Sequence, residues 1–375
     1  MKVKLGDYVL MVQEREVLKK VDTSKYVSTE NILADRNGVK FPANTIPLSK
    51  TITTYKKDDI LISNIRPYFK KIWKAEFDGP KSNDVIAFRT KDSRLLQDYL
   101  YVVLQSDNFF NYVTNTAKGT KMPRGDKKAI INYEFELPNI QLQRKISHTI
   151  LVLEKKIRLN NQINDNLIQI SLLNLANMIK NKSYEIRKIS DLDIIISDHV
   201  ANGSFKALKE NVTYYDENNY ALFLRNIDFK NRLDGANRYI DKESYNYLKK
   251  SHLFGGEVVI SNVADVGTIH RVPFINRPMV IGNNQIFIKS VHSFLTEYLY
   301  VYFKSYWGQN SIFSITSGSA QQKFNKTDFR ALEIPIPSPN WILTNIRPFI
   351  LAKDKIFNET KSLEQLKKNL LNNYF

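Results

Sequence analysis

The chain has 375 residues, 43% of them hydrophobic, enough for two domains of ordinary size with real cores. It has no cysteine, which excludes disulfides, thiol nucleophiles and cysteine-based zinc sites together. A net charge of +17 and a pI near 9.6 point to a polyanionic partner, foremost a nucleic-acid duplex with about one charge per 1.7 Å of axis; an AT-rich codon bias toward Lys, Asn and Ile is the bland alternative.

The opening residues Met1-Lys2-Val3-Lys4-Leu5-Gly6-Asp7 lack the apolar core of a signal peptide. No stretch approaches the roughly 18 apolar residues of a membrane span, so a soluble, cytoplasmic protein with no membrane partner is expected. Residues 1–138 read as a mixed α/β domain. Apolar runs predict strands at Asp59–Ile62 and Val85–Phe88, parted by turn clusters at Asp78-Gly79-Pro80 and Lys81-Ser82-Asn83. Helical spacing covers Leu95–Val113. A basic loop follows, Lys118-Gly119-Thr120-Lys121-Met122-Pro123-Arg124-Gly125.

After Pro138 a long helix is predicted from Gln141 to Lys180, within a connecting segment 139–182 that contains no Gly or Pro. Ile146, Ile150, Leu153 and Ile157 step by four, three and four, the spacing of a coiled-coil seam. Continuing that register puts Asn160 and Asn164 on the seam before Leu167; the competing stripe is Ile163, Leu167 and Ile170. A second α/β domain spans 183–339, with strands expected at Tyr220–Leu224, Val258–Ser261 and Gln285–Lys289 and a polar loop at Ser317–Phe324. A second helix, within 340–375, is expected to run unbroken from Trp341 to the C-terminus. Its seam steps through Ile342, Ile346, Phe349, Lys353, Ile356, Thr360, Leu363, Lys367 and Leu370. The two helices are expected to pair as an antiparallel coiled coil.

The two halves repeat. At an offset of 199, Tyr99-Leu100-Tyr101-Val102 returns as Tyr298-Leu299-Tyr300-Val301, Ser106 as Ser305, Gly119 as Gly318, Lys127 as Lys326, Glu134 as Glu333 and Pro138 as Pro337. At an offset of 198, Asp59 answers to Glu257 and Ile62-Ser63-Asn64 to Ile260-Ser261-Asn262. Solenoid units run about 20–50 residues, so this period means two copies of a whole domain. The predicted fold class is therefore α/β (mixed α+β): two similar globular domains, a pseudo-two-fold internal repeat, separated by two long paired helices.

No glycine-rich phosphate loop ending in Gly-Lys-Ser/Thr occurs, nor a GxSxG elbow. The nearest approach to a methyltransferase Asn-Pro-Pro-aromatic motif is Asn64-Ile65-Arg66-Pro67-Tyr68, which reads as a strand end and turn. The five histidines never fall at paired ligand spacing, and no metal site or catalytic residue is expected. Recognition remains. The first loop region supplies Lys118, Lys121, Arg124, Lys127 and Lys128 as candidate DNA-binding residues; the second supplies Ser319, Gln321, Gln322, Lys323, Asn325 and Lys326. Arg and Lys reach guanine N7 and O6, and Gln and Asn make paired contacts to adenine. Candidates for helix pairing or partner docking are Ile146, Ile150, Leu153, Ile157, Leu167, Ile346, Phe349, Ile356, Leu363 and Leu370.

The order domain, helix, domain, helix over the full length resembles the specificity (S) subunit of type I restriction-modification systems. The stretch Glu136-Leu137-Pro138-Asn139-Ile140-Gln141-Leu142-Gln143-Arg144-Lys145-Ile146 is similar to that family's closing strand, proline and Gln-containing helix start. The loop Gly318-Ser319-Ala320-Gln321-Gln322-Lys323 and the segment Tyr26–Ile32 also resemble family segments. Two departures stand out: Ile336-Pro337-Ser338-Pro339-Asn340-Trp341-Ile342 lacks the Gln, and Lys121-Met122-Pro123-Arg124 replaces a Gln-rich stretch. The resemblance implies a non-catalytic DNA-specificity subunit reading a bipartite, asymmetric duplex site, with the helices setting the gap. It further implies two methyltransferase subunits and motor/endonuclease subunits as partners. This chain would bind no cofactor, with S-adenosylmethionine, ATP and Mg²⁺ on the partners. Two other readings are a nuclease or methyltransferase with degenerate motifs and a protein-protein adaptor.

Overall fold

The computed structural model describes residues 1–20, 22–45, 49–318 and 321–375. The chain forms two compact units, one of Met1–Ile157 with Leu363–Phe375 and one of Arg158–Ser362. Their division falls inside the central helix, so each unit takes part of both long helical segments.

The first unit is built on a four-stranded antiparallel sheet in the spatial order Val9–Val12, Val85–Thr90, Ile60–Ser63, Ile72–Lys74. Its central strand Ile60–Ser63 is apolar up to Ser63 because both faces are covered. Ile60 and Ile62 pack with Phe88 and the helical Tyr99–Leu104, whereas Leu61 packs with Trp73, Ala87 and Val27 on the other side. The second unit repeats this sheet with Ile195–Asp198, Gln285–Lys289, Val258–Ser261 and Ile269–Arg271 in the same order. There Val258 and Ile260 face one core and Val259 and Phe287 the other. Register matches too, Ser63 opposite Val85 and Ser261 opposite Gln285. A two-stranded antiparallel pair recurs as well, Lys2–Lys4 with Glu134–Glu136 and Glu185–Lys188 with Glu333–Ile336. The other sheet of each unit differs among the described residues, with three strands in the first and five in the second. The repeat therefore holds for the primary sheet, its helices and the two-stranded pair, and the three- and five-stranded sheets have diverged.

The helix expected at Leu95–Val113 is two helices, Gln97–Gln105 and Asp107–Asn115. Ser106 breaks it: its backbone is extended, and its hydroxyl caps the second helix by accepting from Phe109 N at 3.1 Å. Ser305 does the same between Ser293–Lys304 and Tyr306–Ser314, accepting from Gly308 N. The recurrence of Ser at the 199 offset was the signal for this break. The repeated Tyr-Leu-Tyr-Val motif has a physical reason as well. The Tyr99 hydroxyl donates to the Glu136 carbonyl, and the Tyr298 hydroxyl donates to the Pro335 carbonyl, tying each helix to its unit's last strand.

The central helix spans Ile140–Lys180, 41 residues, as the absence of Gly and Pro predicts. The C-terminal helix is not continuous. A short helix, Pro339–Asn345, ends at Ile346, and Arg347–Tyr374 begins anew. Pro348 is the cause: it has no N–H to donate, and its ring would clash with the carbonyl four residues back, so it is accommodated only in a fresh first turn.

The helices pair antiparallel within each unit. In the first, Ile146 and Ile150 are buried with Leu371, Leu370 packs against them, and Lys367 Nζ meets Glu154 Oε1 at 2.5 Å. In the second, Asn160 Nδ2 donates to Thr360 Oγ1 and to Glu359 Oε2, both at 3.2 Å, and Asn174 Nδ2 donates to the Asn345 carbonyl at 2.8 Å. Asn160 is 2% exposed and Ile170 is 40% exposed, so the seam follows the Asn register and not the Ile163–Ile170 stripe. Leu153, Ile157, Leu167, Phe349, Ile356 and Leu363 are half-buried along it. Two positions correct the expected C-terminal seam. Ile350, not Phe349, is fully buried after the break at Ile346, and Leu371 is buried deeper than Leu370.

The Gln at the start of the central helix also acquires a reason. Asn139 caps the helix by accepting from Leu142 N, and Gln143, fully buried, accepts from Leu96 N and donates to the carbonyls of Arg94 and Pro138. At the 199 offset stand Ser338, which accepts from Trp341 N, and Ile342, buried in the second core. The second copy thus replaces an amide latch by apolar packing. Gln143→Ala leaves Leu96 N and two carbonyls without their partner, and is expected to lower the first unit's stability by about 1–3 kcal/mol, read by chemical denaturation. Ile342 has no such latch to lose.

Candidate nucleic-acid interface

The two polar loops are held by the same backbone clasp. In the first unit Lys118 N donates to the Arg124 carbonyl at 2.8 Å and Arg124 N returns to the Lys118 carbonyl at 2.9 Å. In the second, Ser317 and Lys323 exchange the same pair of bonds, both at 2.9 Å. A neighbouring strand end pins each loop from outside. Arg66 N donates to the Pro123 carbonyl and Gly125 N to the Asn64 carbonyl; Ala264 N donates to the Gln322 carbonyl and Phe324 N to the Asn262 carbonyl. Arg66 and Ala264 both adopt the left-handed region, at φ +51° and +65°, where a side chain is strained. Gly119 and Gly318 begin the excursions at φ +92° and +101°; a Cβ at Gly318 would come within 2.4 Å of the Gln321 carbonyl oxygen.

The side chains on this common frame differ. Lys121, Arg124, Lys127 and Lys128 are exposed in the first unit. Lys118 Nζ rests on Asp126 at 2.6 Å, and Arg124 approaches Asp84 at 3.5 Å. The Lys118 hydrogen bond and the N–H groups it caps hold the Asp126 carboxyl below the usual carboxylate range. In the second unit Gln321, Gln322 and Lys323 are exposed, and their side chains have no intramolecular hydrogen bond among the described residues. Ser319 lies outside the described residues.

Two candidates turn out to serve the frame. Asn325 caps the helix Lys326–Ala331, its Oδ1 accepting from Asp328 N and its Nδ2 donating to Asp328 Oδ2. Asp126 holds the matching place in the first unit, capping Lys127–Ile130 through Lys128 N. Lys326 Nζ is paired with Asp198 at 2.8 Å. The loop-pinning residues Asn64, Arg66, Asn262 and Ala264 were missed as a set, although the repeated Ile-Ser-Asn pointed to their position.

The histidines hold no constellation. His199 lies beside the Tyr214 hydroxyl, His252 stacks on Tyr245 with its centroid 3.8 Å away, and His270 Nε2 lies 2.7 Å from Asn226 Oδ1. Among the described residues no group of three His, Asp or Glu could hold a metal ion, and no helix is long and apolar enough to cross a membrane.

Comparison with known proteins gives the family. The type I restriction modification DNA specificity domain matches residues 10–169 and again 181–366. The fold is similar to that of the type I restriction-modification system S subunit from M. genitalium, with a TM-score of 0.60 and 15% identity over 100% of this chain and 96% of that one. The HsdS subunit from Thermoanaerobacter tengcongensis matches with a TM-score of 0.36 and 18% identity over 100% and 96% of the two chains. No curated protein matches. With two copies of the domain covering most of its length, the chain belongs to the type I restriction-modification DNA specificity family and is a non-catalytic DNA-recognition subunit of such a system.

Proposed function

We propose that each clasped loop reads one half of a bipartite, asymmetric DNA site through the major groove. The observation that carries this reading is one backbone frame bearing two different side-chain sets, Lys121 to Arg124 and Gln321 to Lys323. A loop closed on itself and pinned in a strained conformation loses little entropy when it binds, so its side chains arrive pre-positioned. Arg and Lys suit guanine and Gln suits adenine, so unlike loops read unlike sequences. The remaining candidates Lys118, Lys127 and Lys128 supply charge toward the phosphates.

In this account recognition domains at 1–138 and 183–339 are linked by helices at 139–182 and 340–375, whose pairing sets the gap between half-sites. Two readers on one spacer gain affinity only where half-site separation matches, an effective-concentration effect. The helices also dock two methyltransferase subunits, which carry S-adenosylmethionine, and motor/endonuclease subunits using ATP and Mg²⁺ join them in the cytoplasm. Exposed apolar residues at steps of seven and fourteen on the central helix, Val152, Leu159 and Leu173, support a helical docking partner.

Gln321, Gln322 and Lys323 changed together to Ala are expected to relax one half-site and leave the other intact, a loss of about 1–3 kcal/mol of discrimination per base contact. Mapping methylated sites in cells carrying the variant checks it; equal relaxation of both halves would refute modular reading.

A further inference from the structure

The first unit contains a cavity of about 240 Å³ beside the loop region, and Lys81, only 4% exposed, lines it. Lys81 Nζ donates to the Val85 carbonyl at 2.9 Å and has no carboxylate within ion-pair distance among the described residues. Asp59, the acidic group nearest in effect, is taken up by Arg89 at 2.7 and 2.8 Å. Arg15 and Lys127 stand at the rim, exposed and without an ion-pair partner among the described residues, and Thr53 and Asn83 complete the polar wall. None of the residues lining the cavity is acidic. A buried ammonium is rare and costly without an anion beside it.

The fold does not require this lysine. The Asn64 N to Asp84 carbonyl bond matches Asn262 N to the Asn284 carbonyl, which sets Asp84 and Asn284 at an offset of 200, and Val85 matches Gln285 at that offset in strand register. The same offset places Ile281, fully buried, at the position of Lys81. The second unit fills with an isoleucine what the first fills with a cation.

We propose that this cavity is a phosphate site, with Lys81 at its floor and Arg15 and Lys127 at its rim, and that it takes a backbone phosphate of the DNA half-site read by the first unit. The assignment deepens the DNA-reading account and rests on it for the source of the phosphate. Burial and the neighbouring Lys127 and Arg15 push the free ammonium down to about 8, and a bound phosphate reverses that. Lys127 belongs to both the cavity and the loop region, which places the phosphate next to the reading loop.

The test uses the full-length chain and Lys81→Met, which keeps an unbranched side chain one atom shorter and removes its charge. Arg15→Gln, at the exposed rim, serves as a second variant that does not disturb packing. In one arm, inorganic phosphate against chloride of equal ionic strength should raise the melting temperature of the wild type and not that of Lys81→Met. In the other, duplex affinity of Lys81→Met should fall about tenfold at 150 mM salt, and the slope of log affinity against log salt by about 0.9, with the recognised bases unchanged. Arg15→Gln should weaken both responses. A phosphate response lost without any change in duplex binding would overturn the DNA source and leave a site for free phosphate. Equal phosphate responses in wild type and Lys81→Met would overturn the site itself. Failure of the wild type to bind duplex would count against the DNA-reading account, while the phosphate arm still decides the cavity.

Discussion

Ile150→Asp is expected to unfold the first unit. Ile150 is fully buried where the central helix meets Leu371 and the Tyr99–Leu104 helix. Truncating a buried isoleucine costs about 2–5 kcal/mol, and placing a carboxylate there adds several more, which together approach the whole stability of a domain. Thermal melting followed by limited proteolysis should show residues 1–157 cleaved while the second unit stays protected. A variant that melts like the wild type would contradict the packing described. The contrast is Val152→Asp, two residues on and half exposed, which should leave melting within about 0.5 kcal/mol of wild type and weaken only association with partner subunits. The pair separates two roles that the spacing of apolar residues had joined: Ile146 and Ile150 are core residues of this chain, and Val152 stands on the exposed face proposed for partner docking.

Much of this was legible in the residues. Val258–Ser261 and Gln285–Lys289 are strands over the ranges expected, because a strand covered on both faces carries no polar interruption. Asn160 kept the seam register because a buried amide with a partner hydroxyl outcompetes an equally spaced but solvent-facing isoleucine. What was hidden depended on single residues whose effect is not periodic. Ser106 and Ser305 cut helices that their apolar spacing would continue, and Pro348 forces a new helix at Arg347 after the one that holds Trp341 and Ile342. At the loops, sequence suggested divergence: Met122-Pro123 has no likeness to Gln321-Gln322. Backbone bonds between residues 57 to 62 positions apart made them equivalent, and such bonds leave no trace in side-chain identity. The residue types at Asn325 and Lys326 likewise did not reveal that Asn325 caps a helix and Lys326 pairs with Asp198. Lys81 went unnoticed because a lysine in a turn-rich stretch is ordinarily solvent-facing.

The largest functional effect is expected from lengthening the paired helices. Four residues added near Asn164 in the central helix alone would carry Leu175 and Met178 about 6 Å past Ile342 and Ile346, destroying the pairing it is meant to probe. Four residues must therefore enter both helices, after Ile157 and after Ser362, so that Asn160 stays opposite Thr360 and Glu154 opposite Lys367. The added rise of about 6 Å corresponds to about two base pairs at 3.4 Å each. Methylated sites mapped across the genome of cells carrying this double insertion should show both half-sites unchanged and the gap between them longer by one or two base pairs. Methylation at the original gap, or a change in the half-sites themselves, would contradict the claim that two readers are spaced by these helices.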